Sequence, residues 1–141
     1  MVSLNLKSIF LCAKAAIPAF KRQGSGRIVN IGSMAGVSVL QPSSPPYAAA
    51  KAGVHSLTRV LAFELGKHGV TANAIAPGTT ATERVIAVRS QEQLDMIGKG
   101  TLIGRIAEVS DIVGWVLFLA SPEAGYLTSQ TLSVNGGRLM V

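Results

Sequence analysis

Residues 27–32, RIVNIG, form a short run rich in β-branched side chains with glycines at Gly26 and Gly32, and such a run reads as a buried strand. What flanks it decides the class of fold. Upstream, residues 2–22 place apolar side chains at Leu6, Phe10, Ala13 and Ile17, the stripe of a helix, which RQGSG at 22–26 ends because glycine permits the turn. Downstream, SMAGVSVLQPSS at 33–44 reads as a loop. A helix then starts at Pro45 or Pro46, since proline suits a first helical turn, and runs to about Lys67 before His68 and Gly69 stop it. VTANAIAPG at 70–78 is a second strand, closed by Pro77 and Gly78. Residues 79–107 are polar with mixed periodicity and are expected to form a mobile segment with one or two short helices. A last helix, DIVGWVLFLAS at 111–121, is capped by Ser110 or its neighbourhood, and TLSVNGG at 131–137 is the third strand. Helix and strand alternate throughout, so the expected fold is α/β, with parallel strands joined by right-handed crossovers.

Composition narrows the function classes. The 141 residues suit one domain, and an apolar fraction of 48% supplies a core. Thirteen basic against seven acidic residues leave a formal charge of +6. Lys7, Lys14, Lys21, Arg22 and Arg27 are spaced along the chain without a nucleic-acid-binding motif, which supports only non-specific attraction, so no nucleic-acid partner is expected. A single cysteine, Cys12, excludes an internal disulfide framework, and His55 and His68 show no metal-ligand spacing. A reducing cytoplasm fits this usage. Charge interrupts every apolar stretch before the ~18 residues a membrane span needs, and Ser, Asn and Lys break the N-terminal run where a signal peptide would be apolar. The expectation is a soluble, untargeted protein with neither metal nor membrane contact.

Within PPYAAAKAG at 45–53, Tyr47 and Lys51 stand four positions apart and so share one helical face. A phenol, with an ordinary pKa of ~10, exchanges protons poorly at neutral pH, but a nearby ammonium favours its ionised form. The pair is a candidate acid/base device, although the same spacing also arises from plain amphipathic packing. Position in the fold bears on the choice. In open parallel sheets ligands bind beyond the carboxyl ends of the strands. Ser33 follows the first strand, Pro77 and Gly78 follow the second, and the Tyr47 helix lies between them, so all reach one edge.

GRIVNIGSMAG, YAAAKAGV, VTANAIAPGTTAT and SQTLSVNGG, in this order and through nearly the whole chain, resemble the short-chain dehydrogenase/reductase family. In texture they are most similar to its 3-oxoacyl-(acyl carrier protein) reductase type. The resemblance implies NAD(P)-dependent interconversion of a small-molecule carbonyl and a secondary alcohol, with hydride supplied by the cofactor. It makes Tyr47 the proton donor or acceptor and Lys51 the holder of the nicotinamide ribose. Ser33 would stabilise charge on the reacting oxygen, and Asn5 would support a water-linked proton relay. Pro77, Gly78 and Thr80 match the segment that meets the nicotinamide carboxamide, and Thr82 the threonine that touches carboxamide or phosphate. Residues 83–102 correspond to the substrate lid. Each residue has a plainer role open to it: Thr82 caps a helix, Pro77 and Gly78 end a strand, and Ser33 and Asn5 are ordinary polar positions.

One departure is large. The sequence has no glycine-rich turn between a strand and a helix, no charged residue placed for an adenosine ribose, and three strands where the family's sheet needs six or more. The resemblance therefore implies the carboxyl-terminal part of a Rossmann-type doubly wound sheet, residues 1–141 being its catalytic and substrate-binding half and the N-terminal half being absent. Weak binding of NAD or NADP by this chain alone follows as an expectation. So does a homo-oligomer, dimer or tetramer, because the family pairs the helices corresponding to 2–22 and 46–67 across one interface and the last helix and strand across another. The alternative is a non-enzymatic remnant that associates with itself or with an intact relative.

Overall fold

In a computed structural model that describes residues 1–38 and 43–140, the apolar stripe at the start of the chain forms a π-helical turn, Ser3–Lys7, running into α1, Ser8–Gln23. Gly24 closes α1 in the left-handed conformation at φ 69°, where a side chain is strained and glycine is not. β1, Gly26–Ile31, follows directly. A 3₁₀ turn at Met34–Gly36 interrupts the expected loop, because the Ser33 side chain accepts from the Ala35 N–H and folds the chain back on itself. Residues 39–42 of that loop lie outside the described residues.

α2, Pro45–Leu65, opens with both prolines in its first turn, where their missing N–H groups leave no helical bond unmade. β2, Val70–Pro77, is buried along almost its whole length. Two short helices, α3 at Glu83–Ala87 and α4 at Gln91–Lys99, occupy the polar segment. α5, Val109–Ala120, starts at Glu108 and not at Ser110, because the Asp111 carboxylate reaches back to the Glu108 N–H at 2.7 Å. β3, Thr131–Val134, is shorter than the expected run, since Gly136 and Gly137 have φ 64° and 77°, incompatible with extended strand.

The three strands form a parallel sheet in the order β1-β2-β3, with β2 central. Alternation along the strands separates two apolar layers. Ile28, Val70 and Ala72 pack with Ala13, Leu61, Ala62 and Leu65 of α1 and α2. Val29, Ile75, Leu132 and Val134 pack with Ile112, Val116 and Leu119 of α5. Helices thus cover both faces, the doubly wound arrangement, and the carboxyl ends of β1 and β2 emerge side by side. Two buried amides tie the layers to their connections. Asn30 donates to Thr58 of α2 at 2.9 Å, and Asn73 holds the chain before β3 through Leu127 O at 2.7 Å and the Gln130 N–H at 3.1 Å.

Candidate active site

Beyond Ile31 the Gly32 N–H still donates to β2, at Ile75 O and 2.7 Å, and Ser33 follows beside Pro77 and Gly78 at the end of that strand. Tyr47 sits in the first turn of α2 and Lys51 in the next, both on the face directed at that end of the sheet. The Lys51 ammonium donates to Ile31 O at 2.8 Å and lies 5.8 Å from the centre of the Tyr47 ring. Burial, with 9% of the residue exposed, shifts its pKa downward from the usual lysine value.

Ser33, Tyr47, Pro77, Gly78, Thr80 and Thr82 line one cavity of about 410 Å³. Ser38, Ser43, Ser44 and Thr79 add hydroxyls to its wall, and Met34, Ala35 and Val85 add apolar surface. The structure therefore brings together six of the seven residues carried by the strand ends and α2, with Lys51 set behind Tyr47. Asn5 stands apart. Its amide donates within its own turn, to Met1 O at 3.0 Å and Met1 Sδ at 3.2 Å, and no hydrogen bond joins it to Lys51 among the described residues. The Asn5 turn does lie against α2, packed so closely at Leu6 that a Cβ on Gly53 would come 2.8 Å from Leu6 Cδ2.

Two threonines show complementary hydrogen-bonding character. Thr80 donates its hydroxyl to Gly78 O at 3.2 Å, which leaves oxygen lone pairs to accept. Thr82 accepts from the Val85 N–H at 3.3 Å as the N-cap of α3, which leaves its O–H to donate. The capping role and a ligand role are therefore compatible in one residue. Two residues with no role in the sequence also enter the site. Arg89, between α3 and α4, is the only charged side chain in the described cavity wall. His55 is buried on α2 one turn beyond Lys51, and its Nε2 accepts from the Ser33 N–H at 3.4 Å. Arg89 carried no local signal, but the Tyr47, Lys51, His55 spacing of four was visible in the sequence.

No helix among the described residues is long and apolar enough to cross a membrane, and no group of three or more His, Cys, Asp or Glu is placed to hold a metal ion. Comparison with known proteins agrees with this architecture. The family model described as enoyl-(acyl carrier protein) reductase matches residues 1–138. The 3-oxoacyl-(acyl-carrier-protein) reductase of Synechocystis is 40% identical over 141 residues, covering 99% of this chain and 55% of the relative. Galactitol 2-dehydrogenase (L-tagatose-forming) of Cereibacter sphaeroides is 41% identical over 143 residues, covering 97% and 55%. Among solved structures, a 3-oxoacyl-(acyl-carrier protein) reductase from Brucella melitensis superposes with a TM-score of 0.91 at 33% identity, over 97% of this chain and 51% of the other. The chain belongs to the short-chain dehydrogenase/reductase family. It spans about half the length of the relatives it matches.

Proposed function

We propose that these 141 residues are the catalytic and substrate-binding part of an NAD(P)-dependent oxidoreductase that interconverts a carbonyl and a secondary alcohol. The observation that carries this is the single cavity shared by Ser33, Tyr47, Thr80 and Thr82, with the Lys51 ammonium behind the Tyr47 ring. The donor set suits the nicotinamide end of such a cofactor. A carboxamide offers two N–H donors and one carbonyl acceptor, matched by the free lone pairs of Thr80 and the free O–H of Thr82. Lys51 spends one of its three donors on Ile31 O, and two remain for ribose hydroxyls. When bound, the cofactor supplies the hydride.

The chain's own residues handle the oxygen. In the reducing direction the Ser33 O–H donates to the substrate carbonyl and stabilises the charge that grows there, while the Tyr47 O–H delivers the proton that completes the alcohol. In the oxidising direction Tyr47 takes that proton back. Lys51 keeps its ammonium beside the ring in both directions.

The relatives' names point to different substrates at nearly the same identity, so likeness does not choose among them. The cavity wall favours one class. Its hydroxyls and the lone cation Arg89 suit a hydroxylated substrate that carries a carboxylate or phosphate. A second role, self-association or association with an intact relative, draws support from the exposed apolar faces of α1, α2 and α5.

Turnover of carbonyl or alcohol substrates with NAD(H) and NADP(H) is the test. Tyr47→Phe keeps the ring without the transferable proton and should lower kcat about 10²- to 10⁴-fold, the usual share of general acid–base catalysis. Lys51→Ala should depress both rate and cofactor affinity. A Tyr47→Phe variant as active as the parent would exclude the acid/base role.

A further inference from the structure

Ser33 is the point at which the loop after β1 enters the cavity, and α2 determines where that loop sits. The Ser33 N–H donates to His55 Nε2 at 3.4 Å, a long hydrogen bond. Gly32 passes so close to the same ring that a Cβ there would overlap Nε2. Gly36, at the far end of the 3₁₀ turn, rests on α2 itself, where a Cβ would come 2.5 Å from the Lys51 carbonyl carbon. His55 is only 4% exposed and shares the face of Tyr47 and Lys51, in steps of four along the helix.

We propose that His55 is a positioning residue, a ring of fixed size wedged between α2 and the loop that accepts the Ser33 amide and so sets the Ser33 hydroxyl against the Tyr47 phenol. It rests on the assignment of Ser33 and Tyr47 made above. To accept at Nε2 the imidazole must be neutral with its proton on Nδ1. Its surroundings favour the neutral form. Burial is the main cause, the charges of Arg59 and Lys51 on the same helix act in the same direction, and the Gly36 carbonyl opposes them by hydrogen bonding to the ring.

Long-range ¹H–¹⁵N correlation spectra of the ¹⁵N-labelled 141-residue chain at neutral pH read the tautomer directly. His55 should carry its proton on Nδ1, and a ring protonated at Nε2 overturns the proposal. Amide hydrogen exchange supplies the second arm. In His55→Leu the Ser33 amide should exchange about tenfold faster, the scale of one hydrogen bond, while amides of β2 and the C-terminal half of α2 hold their rates. His55→Gln, whose side chain has both an acceptor and a donor, should recover most of the protection. Unchanged Ser33 exchange in His55→Leu, or equal acceleration in β2, removes the positioning role, and if His55→Leu fails to fold, lost Ser33 protection in His55→Gln does the same. Neither measurement needs turnover. Activity retained by Tyr47→Phe would sink the catalytic assignment and leave these results standing, whereas the wrong tautomer would sink His55 alone.

Discussion

A buried imidazole beside two cations makes the pH dependence of this protein legible at one residue. The folded-state pKa of His55 lies below its ordinary value of 6.5, chiefly through burial. Between those two values the unfolded chain binds a proton that the folded chain does not. Stability from this group is therefore complete above pH 6.5 and declines as pH falls through it. Thermal melts at pH 7.5 and 5.5 should show a larger loss of Tm for the parent than for His55→Gln, which has no titrating ring, since the carboxylates common to both cancel. Equal losses would mean that His55 is protonated in the folded state. At the same scale, Thr82 shows why single residues resist assignment from sequence. The capping role and the ligand role use different parts of one hydroxyl, so one does not exclude the other.

Among the elements, the start of α5 depends on a charge. Asp111 accepts from the Glu108 N–H at 2.7 Å and from Arg105 Nη2 at 3.1 Å, with a second, shorter contact to Arg105 Nη1 at 2.6 Å. These bonds, that to Arg105 first, hold its pKa at about 2. A carboxyl with a depressed folded pKa adds stability that is present above its ordinary value of 3.8 and is lost as pH falls toward about 2. Asp111→Asn should therefore lower Tm at pH 6 modestly, as expected for a solvent-exposed pair, and the two proteins should converge near pH 2. A gap that persists at pH 2 would assign the effect to packing or capping and not to charge. The same pair borders a second cavity, of about 260 Å³, that shares Gly78 and Thr79 with the candidate active site.

For the whole molecule, association and cofactor affinity are both open to measurement. Phe63 on α2 is 89% exposed and Leu117 on α5 is 66% exposed, and among the described strands β1 pairs only with β2. Apolar helix faces and an open strand edge both favour association. Sedimentation velocity at micromolar concentration should show oligomers or aggregates, and a monodisperse monomer would count against both proposed surfaces. Cofactor affinity is the other test. The sequence contains no glycine-rich strand-to-helix turn to receive a pyrophosphate, so under the function proposed above binding would draw on Lys51, Thr80 and Thr82, at ~0.5–1.5 kcal/mol per hydrogen bond. Against the cost of ordering a dinucleotide, this places Kd nearer millimolar than micromolar. Calorimetric titration of the chain with NADH and NADPH checks it, micromolar binding being the contrary result.

By itself the sequence determined the order of helices and strands, nearly all their limits, and the residues that meet at the carboxyl ends of β1 and β2. Those signals are local: proline in a first turn, glycine at a helix end, and an apolar period that switches between helix and strand. Sequence expectation and structure part where a side chain reaches across several residues, as Asp111 does in moving the start of α5 to Glu108 and Ser33 in folding its loop into a 3₁₀ turn, and where backbone at positive φ ends β3 before Gly136. The central place of β2, the bond from Lys51 to Ile31 O, the entry of Arg89 into the cavity and the seat of Gly32 on His55 were decided only by tertiary structure. Each joins residues far apart in the chain, and their meeting depends on how α2 and the α3–α4 segment pack over the sheet, a property that no local pattern encodes.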